Sequence, residues 1–234
     1  MATSPDPRIW GLIPAAGTGR RFGGQAPKQY WPLTTGVSVL ATAIRALHSD
    51  PRIQNVMVAV AAEDTHWPES GLAEDPGVRS CTGGESRAES VLRGLRALRD
   101  AGATDRDWVA VHDAARPGLP REALTRLLDE VLGSGEAALL ALPVPDSLKR
   151  SEDGEHISEN LGREGVWIAQ TPQIARLGDL VAALESVDQE APPTDEAAAL
   201  SASGLRIRLV TGARSNLKIT YPEDLDWINH LLQI

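Results

Sequence analysis

Apolar positions along the 234 residues fall into two rhythms. Residues 9–13, 53–62, 108–112 and 137–142 are short and almost uninterruptedly apolar, the pattern of strands buried on both faces in a parallel sheet. A shorter strand is predicted at 78–82. Between these runs the period lengthens. Val39, Leu40, Ala43, Ile44 and Leu47 mark a helix over 37–47 that Ser49-Asp50-Pro51 ends. Val91, Leu92, Leu95 and Leu98 mark another from Glu85 onward, and residues 121–132 form a third, closed by Gly133. Strands alternating with helices predict a doubly wound, mostly parallel α/β sheet.

After residue 142 the alternation changes. Pro143-Val144-Pro145 interrupts the chain, and Leu148-Lys149-Arg150 and His156-Ile157 flank Glu152-Asp153-Gly154, whose Asp-Gly pair signals a hairpin. A return strand at 166–170 leads through Thr171-Pro172-Gln173 to a helix carrying Leu177, Leu180, Val181 and Leu184. Thr194-Asp195-Glu196 opens a further helix with Thr194 in the N-cap position, residues 205–210 alternate like an edge strand, and Pro222 starts a terminal helix. The expectation is one domain over 1–234 with an inserted β arm at about 143–170.

Composition narrows the function classes. A hydrophobic share of 42% over this length supports one sizeable core, and no uninterrupted apolar run reaches the ~18 residues that would span a membrane. Residues 1–8 lack a basic region followed by an apolar core, so a cytoplasmic location is expected. A lone Cys81 forms no internal disulfide and reads as a small apolar residue. The formal net charge of −9 argues against general nucleic-acid binding, which needs a basic face. Six scattered tryptophans form no stacking array and read as packing residues.

The candidate chemistry sits where strands end. Pro14 cannot donate to a ladder and closes the first strand; Ala15, Ala16, Gly17 and Gly19 then let backbone N–H groups approach an anion, with Arg20, Arg21 and Lys28 to neutralise it. That combination suggests a polyphosphate. A dinucleotide fingerprint would need glycine where Phe22 stands, and no Gly-Lys-Ser/Thr follows at P-loop spacing. The plain alternative is a solvated turn. Gly83-Gly84 makes a second strand-to-helix corner. Asp113, just past a strand end, suits a metal or a ribose hydroxyl, or equally a turn cap. His112 reads as a packing or hydrogen-bonding residue.

Several of these stretches occur together and in one order. Pro14-Ala15-Ala16-Gly17-Thr18-Gly19-Arg20-Arg21, Pro27-Lys28-Gln29-Tyr30, Gly83-Gly84 with Arg87 and Ser90, His112-Asp113-Ala114-Ala115-Arg116-Pro117, Thr171-Pro172-Gln173, Thr194-Asp195-Glu196 and Asn216-Leu217-Lys218-Ile219-Thr220 resemble the 2-C-methyl-D-erythritol 4-phosphate cytidylyltransferases. The likeness covers nearly the whole chain, and the His-Asp-Ala-Ala-Arg-Pro and Asn-Leu-Lys-Ile-Thr stretches are its more specific part.

The resemblance implies a Rossmann-like nucleotidyltransferase fold and transfer of a cytidylyl group from CTP to methylerythritol phosphate, with Mg²⁺. It gives Arg21 and Lys28 the α-phosphate, Asp113 the metal and the ribose region, and Arg163 and Lys218 the polyol phosphate. Pro14, Ala15, Ala16, Gly17, Gly19, Gly84, Arg87, Ser90 and Ala114 fall on the CTP side, with Glu85 placed to accept from the cytosine amine. Arg116, Thr171 and Thr194 surround the second substrate. In the family the arm crosses to a second subunit, which implies a homodimer with shared active sites. Two rivals remain open: a cytidylyltransferase for another polyol phosphate, such as ribitol 5-phosphate, and a non-catalytic nucleotide-binding module.

Overall fold

The computed structural model describes residues 7–17, 26–186 and 193–232. Its strands are β1 (Ile9–Pro14), β2 (Ile53–Val60), β3 (Val78–Thr82), β4 (Trp108–Val111), β5 (Ala137–Pro143), β6 (Leu148–Arg150), β7 (Glu159–Leu161), β8 (Trp167–Arg176) and β9 (Ile207–Thr211). Its helices are α1 (Val39–His48), the single turn α2 (His66–Glu69), α3 (Arg87–Asp100), α4 (Arg121–Ser134), α5 (Leu177–Glu185), α6 (Glu196–Ala202) and α7 (Asp224–Leu231).

Seven strands form one sheet in the order β3-β2-β1-β4-β8-β5-β9. All neighbours pair in parallel except β8, which runs antiparallel between β4 and β5. The alternation of β1 distributes its side chains to two cores. Ile9 and Ile13 pack with α1 and α4 through Leu40, Ile44, Leu124 and Leu128. Trp10 and Leu12 pack with α3 and α5 through Val91, Leu95, Leu177 and Leu180. Burying both faces of the strand explains its unbroken apolar run. Because β2 and β4 flank β1 on opposite sides, the loops after β1 and β4 diverge at a topological switch point, where open α/β sheets bind ligands.

Four local expectations are corrected. The return strand does not stop at Gln170 but continues to Arg176, carrying a cis Thr171–Pro172 peptide within it. Its ladder with β5 shifts register between Leu139 and Ala141, and this irregularity accommodates a proline that has no N–H to donate. Helix α4 runs past Gly133 and ends at Gly135, whose φ of +71° favours glycine. In the β6–β7 hairpin the second strand begins at Glu159, because Asp153 accepts from the N–H groups of Glu155 and His156 and from the His156 ring, building a longer loop around one carboxylate. The N-cap of α6 is Asp195, which accepts from Ala198 N at 2.9 Å, and Thr194 stands exposed before it.

Candidate active site

An open cleft of about 280 Å³ lies over the switch point. One wall is the β1 end and the start of its loop, Pro14 to Gly17. Ala15 N donates to Ala59 O at 2.7 Å, and the buried Gln29 donates through Nε2 to Ala15 O at 2.8 Å and Gly17 O at 3.1 Å. Gln29 therefore holds the glycine-rich turn in shape and carries Lys28 to the rim, where Lys28 Nζ donates to Ile219 O at 2.6 Å.

The opposite wall is the corner between β3 and α3. A Cβ on Gly83 would lie 2.6 Å from the Ala16 Cβ and 3.0 Å from Ser90 Oγ, so only glycine lets the two loops approach this closely. Ser90 Oγ accepts from Gly84 N at 3.0 Å and donates to Ser86 O at 2.9 Å, which fixes the Gly84–Ser86 backbone along the cleft. Ser86 caps α3 by accepting from Glu89 N, and Glu89 reaches back to accept from Glu85 N at 2.8 Å. The cleft thus faces a capped helix N-terminus, a favourable end for an anion. Glu85 itself is exposed on the rim.

Asp113 lies on the floor, 7% exposed, two residues past the end of β4. Its Oδ1 accepts from Arg87 Nε at 3.0 Å; its Oδ2 accepts from Lys218 Nζ, and Arg116 Nε approaches it at 3.4 Å. Burial alone would raise this carboxyl group, but Arg87, Lys218 and Arg116 outweigh it and hold Asp113 far below the usual carboxylate range. Lys218 is brought in from a distant stretch because Ile219 is fully buried and its N–H donates to Ala115 O at 2.9 Å. Arg116 is fixed by donating Nη1 to Asn216 O at 2.7 Å.

Beneath the floor, His112 is fully buried. Its Nε2 lies 3.0 Å from Arg116 O, an acceptor only, so Nε2 carries the proton and Nδ1 accepts from Thr171 Oγ1 at 3.0 Å. Thr171 Oγ1 in turn accepts from Asp113 N at 3.0 Å. Burial lowers the imidazole to about 4, which keeps it neutral at pH 7. His112 is therefore a hydrogen-bonding support for the Asp113 turn, as its sequence context suggests.

The structure brings Pro14, Ala15, Ala16, Gly17, Lys28, Gly84, Glu85, Arg87, Ser90, Asp113, Ala114 and Lys218 to one cleft. Gly19, Arg20 and Arg21 lie outside the described residues. Three expected substrate contacts sit elsewhere. Thr171 is buried with its hydroxyl engaged by His112 and Asp113, Thr194 is exposed ahead of α6, and Arg163 donates to Pro145 O at the base of the arm. Arg116 borders a neighbouring cavity of about 560 Å³ that shares Lys218 with the cleft and has an apolar wall of Leu142, Val144, Ile168 and Leu217.

Two residues were not singled out by sequence although both fall in quoted stretches. Asn216, fully buried, donates to Thr171 O at 2.7 Å. Glu196, 1% exposed, receives both terminal nitrogens of Arg87 at 2.6 and 2.9 Å. In the sequence Glu196 reads as an acid in the first turn of a helix, an ordinary partner for the helix dipole, and nothing local points to Arg87.

The chain that builds this cleft is similar to known proteins over nearly its whole length. The family model "2-C-methyl-D-erythritol 4-phosphate cytidylyltransferase" matches residues 9–233. The chain is 43% identical over 223 residues to the protein of that name from Pseudomonas putida, covering 95% of this chain and 94% of the relative. It is 44% identical over 222 residues to that of Ectopseudomonas mendocina, with 94% of each covered. Among solved structures, a 4-diphosphocytidyl-2C-methyl-D-erythritol synthase superposes with a TM-score of 0.85 at 37% identity, covering 97% of this chain and 99% of the other. The Francisella tularensis 2-C-methyl-D-erythritol 4-phosphate cytidylyltransferase gives 0.83 at 32% identity, with 96% and 99% covered. With the fold match and the family match over residues 9–233 in agreement, the chain belongs to the 2-C-methyl-D-erythritol 4-phosphate cytidylyltransferase family.

Proposed function

We propose that Asp113 is the point at which the two substrates of the family's reaction meet. That reaction transfers the cytidylyl group of CTP to 2-C-methyl-D-erythritol 4-phosphate, giving 4-diphosphocytidyl-2-C-methyl-D-erythritol and pyrophosphate in the non-mevalonate isoprenoid pathway. Ribitol 5-phosphate as substrate, or nucleotide binding without turnover, is not favoured by a family match over residues 9–233.

The observation that carries the proposal is the Asp113 cluster, in which one carboxylate gathers Arg87, Lys218 and Arg116 between the glycine-rich wall and the second cavity. CTP lies against Pro14 to Gly17 and the Gly84–Ser86 backbone, and the polyol phosphate enters from the side of Lys218 and Arg116. A phosphate monoester has a second pKa near ~6 and is largely ionised at neutral pH, so its oxygen attacks the α-phosphorus without a general base. The bond from the α-phosphorus to the bridging oxygen breaks, and pyrophosphate leaves. Catalysis is then alignment and charge stabilisation, with Lys28 and Arg21 on the phosphates. This fits a neutral His112 that faces away from solvent.

Mg²⁺ belongs to the same proposal. Asp113 is one hard oxygen donor on the cleft floor, and Mg²⁺ is commonly held by one or two carboxylates together with substrate phosphates, so the donor set fits the ion. When bound, it would supply further neutralisation of phosphate charge. The arm adds a homodimer: Ile157, Trp167 and Ile168 are 63%, 38% and 51% exposed on and beside it. A second copy covering them would exchange arms and carry Arg163 to the neighbouring cleft. A cytoplasmic setting suits the chemistry, and no helix among the described residues is long and apolar enough to cross a membrane.

Calorimetric titration tests the placement. Lys218→Ala is expected to weaken methylerythritol phosphate binding at least about tenfold while CTP binding changes less, as loss of a charged contact does. Unchanged methylerythritol phosphate affinity would mean that the second substrate lies elsewhere.

A further inference from the structure

The contacts of Glu196 exceed what anchoring a helix requires. Helix α6 is already held by Asp195, which caps it and accepts from Gln173 Nε2 at 2.9 Å, and by Ala197 N, which donates to Gln173 Oε1 at 2.8 Å. Glu196 instead turns inward. With the side chain 1% exposed, its two oxygens take Arg87 Nη1 and Nη2 in a bidentate pair, which leaves only the Nε edge of Arg87 for Asp113. Asp113 already receives Lys218 and meets Arg116. Without Glu196, the whole charge of Arg87 would bear on that one carboxylate.

We propose that Glu196 is a positioning residue for Asp113: by holding both terminal nitrogens of Arg87 it limits how far Asp113 is neutralised, and so preserves the carboxylate's affinity for a divalent cation carried by CTP. The inference rests on the proposed metal role of Asp113. Glu196 lines neither the cleft nor the neighbouring cavity, and outer partners of this kind typically change metal affinity by 10- to 100-fold.

The test uses Mn²⁺ with CTP and no polyol phosphate, read by water-proton relaxation, which separates protein-bound Mn²⁺ from Mn²⁺ on free nucleotide. For Glu196→Gln the Mn²⁺ dissociation constant is expected to rise roughly tenfold. The Mg²⁺ concentration for half-maximal activity should rise in step, and kcat should recover at high Mg²⁺. The conservative variant Glu196→Asp keeps a carboxylate facing Arg87 and leaves no uncompensated buried charge. It is expected to keep more of the wild-type Mn²⁺ affinity than Glu196→Gln, because the charge of Arg87 is still shared between two carboxylates. A lowered melting temperature in Glu196→Gln with unchanged Mn²⁺ affinity would make Glu196 merely structural and overturn the proposal, as would an Mn²⁺ affinity in Glu196→Asp no better than in Glu196→Gln. Wild-type protein that takes up no Mn²⁺ with CTP would overturn the metal role of Asp113 itself, and this inference with it.

Discussion

Lys28 is the residue whose removal should act most directly on turnover. It sits on the cleft rim within a hydrogen-bonded frame set by Gln29 and Ile219, so its ammonium group is preorganised. Lys28→Ala is expected to lower kcat by roughly two or more orders of magnitude with little change in melting temperature, measured by steady-state kinetics and thermal unfolding. His112 makes the opposite kind of prediction. Its folded-state value of about 4 lies below the ordinary 6.5, so the unfolded chain takes up a proton that the folded one excludes as pH falls between those values. Its contribution to stability is complete above about 6.5 and is lost on acidification toward 4. Urea unfolding between pH 7 and 5 should show a steeper loss in the wild type than in His112→Asn, and equal slopes would contradict a buried neutral imidazole. The sequence shows both residues and suggests each role, but it does not show the tautomer, which follows from Arg116 O in the same loop and Thr171 Oγ1 on the neighbouring strand meeting the two sides of the ring.

At the scale of elements, the strand ends were legible because periodicity and proline or glycine punctuation mark them locally. The four short apolar runs became β1, β2, β4 and β5, and the two candidate loops fell beside the same cleft. What stayed hidden depends on partners far along the chain. The extent of β8 is set by its ladders to β4 and β5, and Arg87 meets a carboxylate 109 residues away. The C-cap of α4 could not be separated from Gly133 by pattern, since only the backbone φ of Gly135 decides it. The β3–α3 corner supplies the prediction at this scale. Gly83→Ala forces a methyl group against the Ala16 Cβ at 2.6 Å, which should destabilise the fold by about 1–3 kcal/mol and raise the KM for CTP as the two walls separate. Chemical denaturation and CTP kinetics on the one variant check both effects.

For the whole molecule, the resemblance in motifs was enough to place the family, because those motifs occupy the ends of strands that the topology gathers at one switch point. Arg163, which the resemblance assigns to the polyol phosphate, lies at the base of the arm and bonds Pro145 O, away from its own cleft. The proposed arm exchange predicts complementation. Arg163→Ala and Lys28→Ala should each be nearly inactive alone, whereas a refolded equimolar mixture should recover roughly a quarter of wild-type activity, since half the dimers then contain one intact site of two. A mixture no more active than its parts would place Arg163 outside the partner's site.

The central claim, a cleft built around Asp113 that joins CTP to methylerythritol phosphate, is tested most directly by pyrophosphate release from purified protein with CTP and Mg²⁺. Release that depends on methylerythritol phosphate, is far slower with ribitol 5-phosphate and is nearly abolished in Lys28→Ala is the predicted result. Release with ribitol 5-phosphate alone, or full activity in Lys28→Ala, would contradict it.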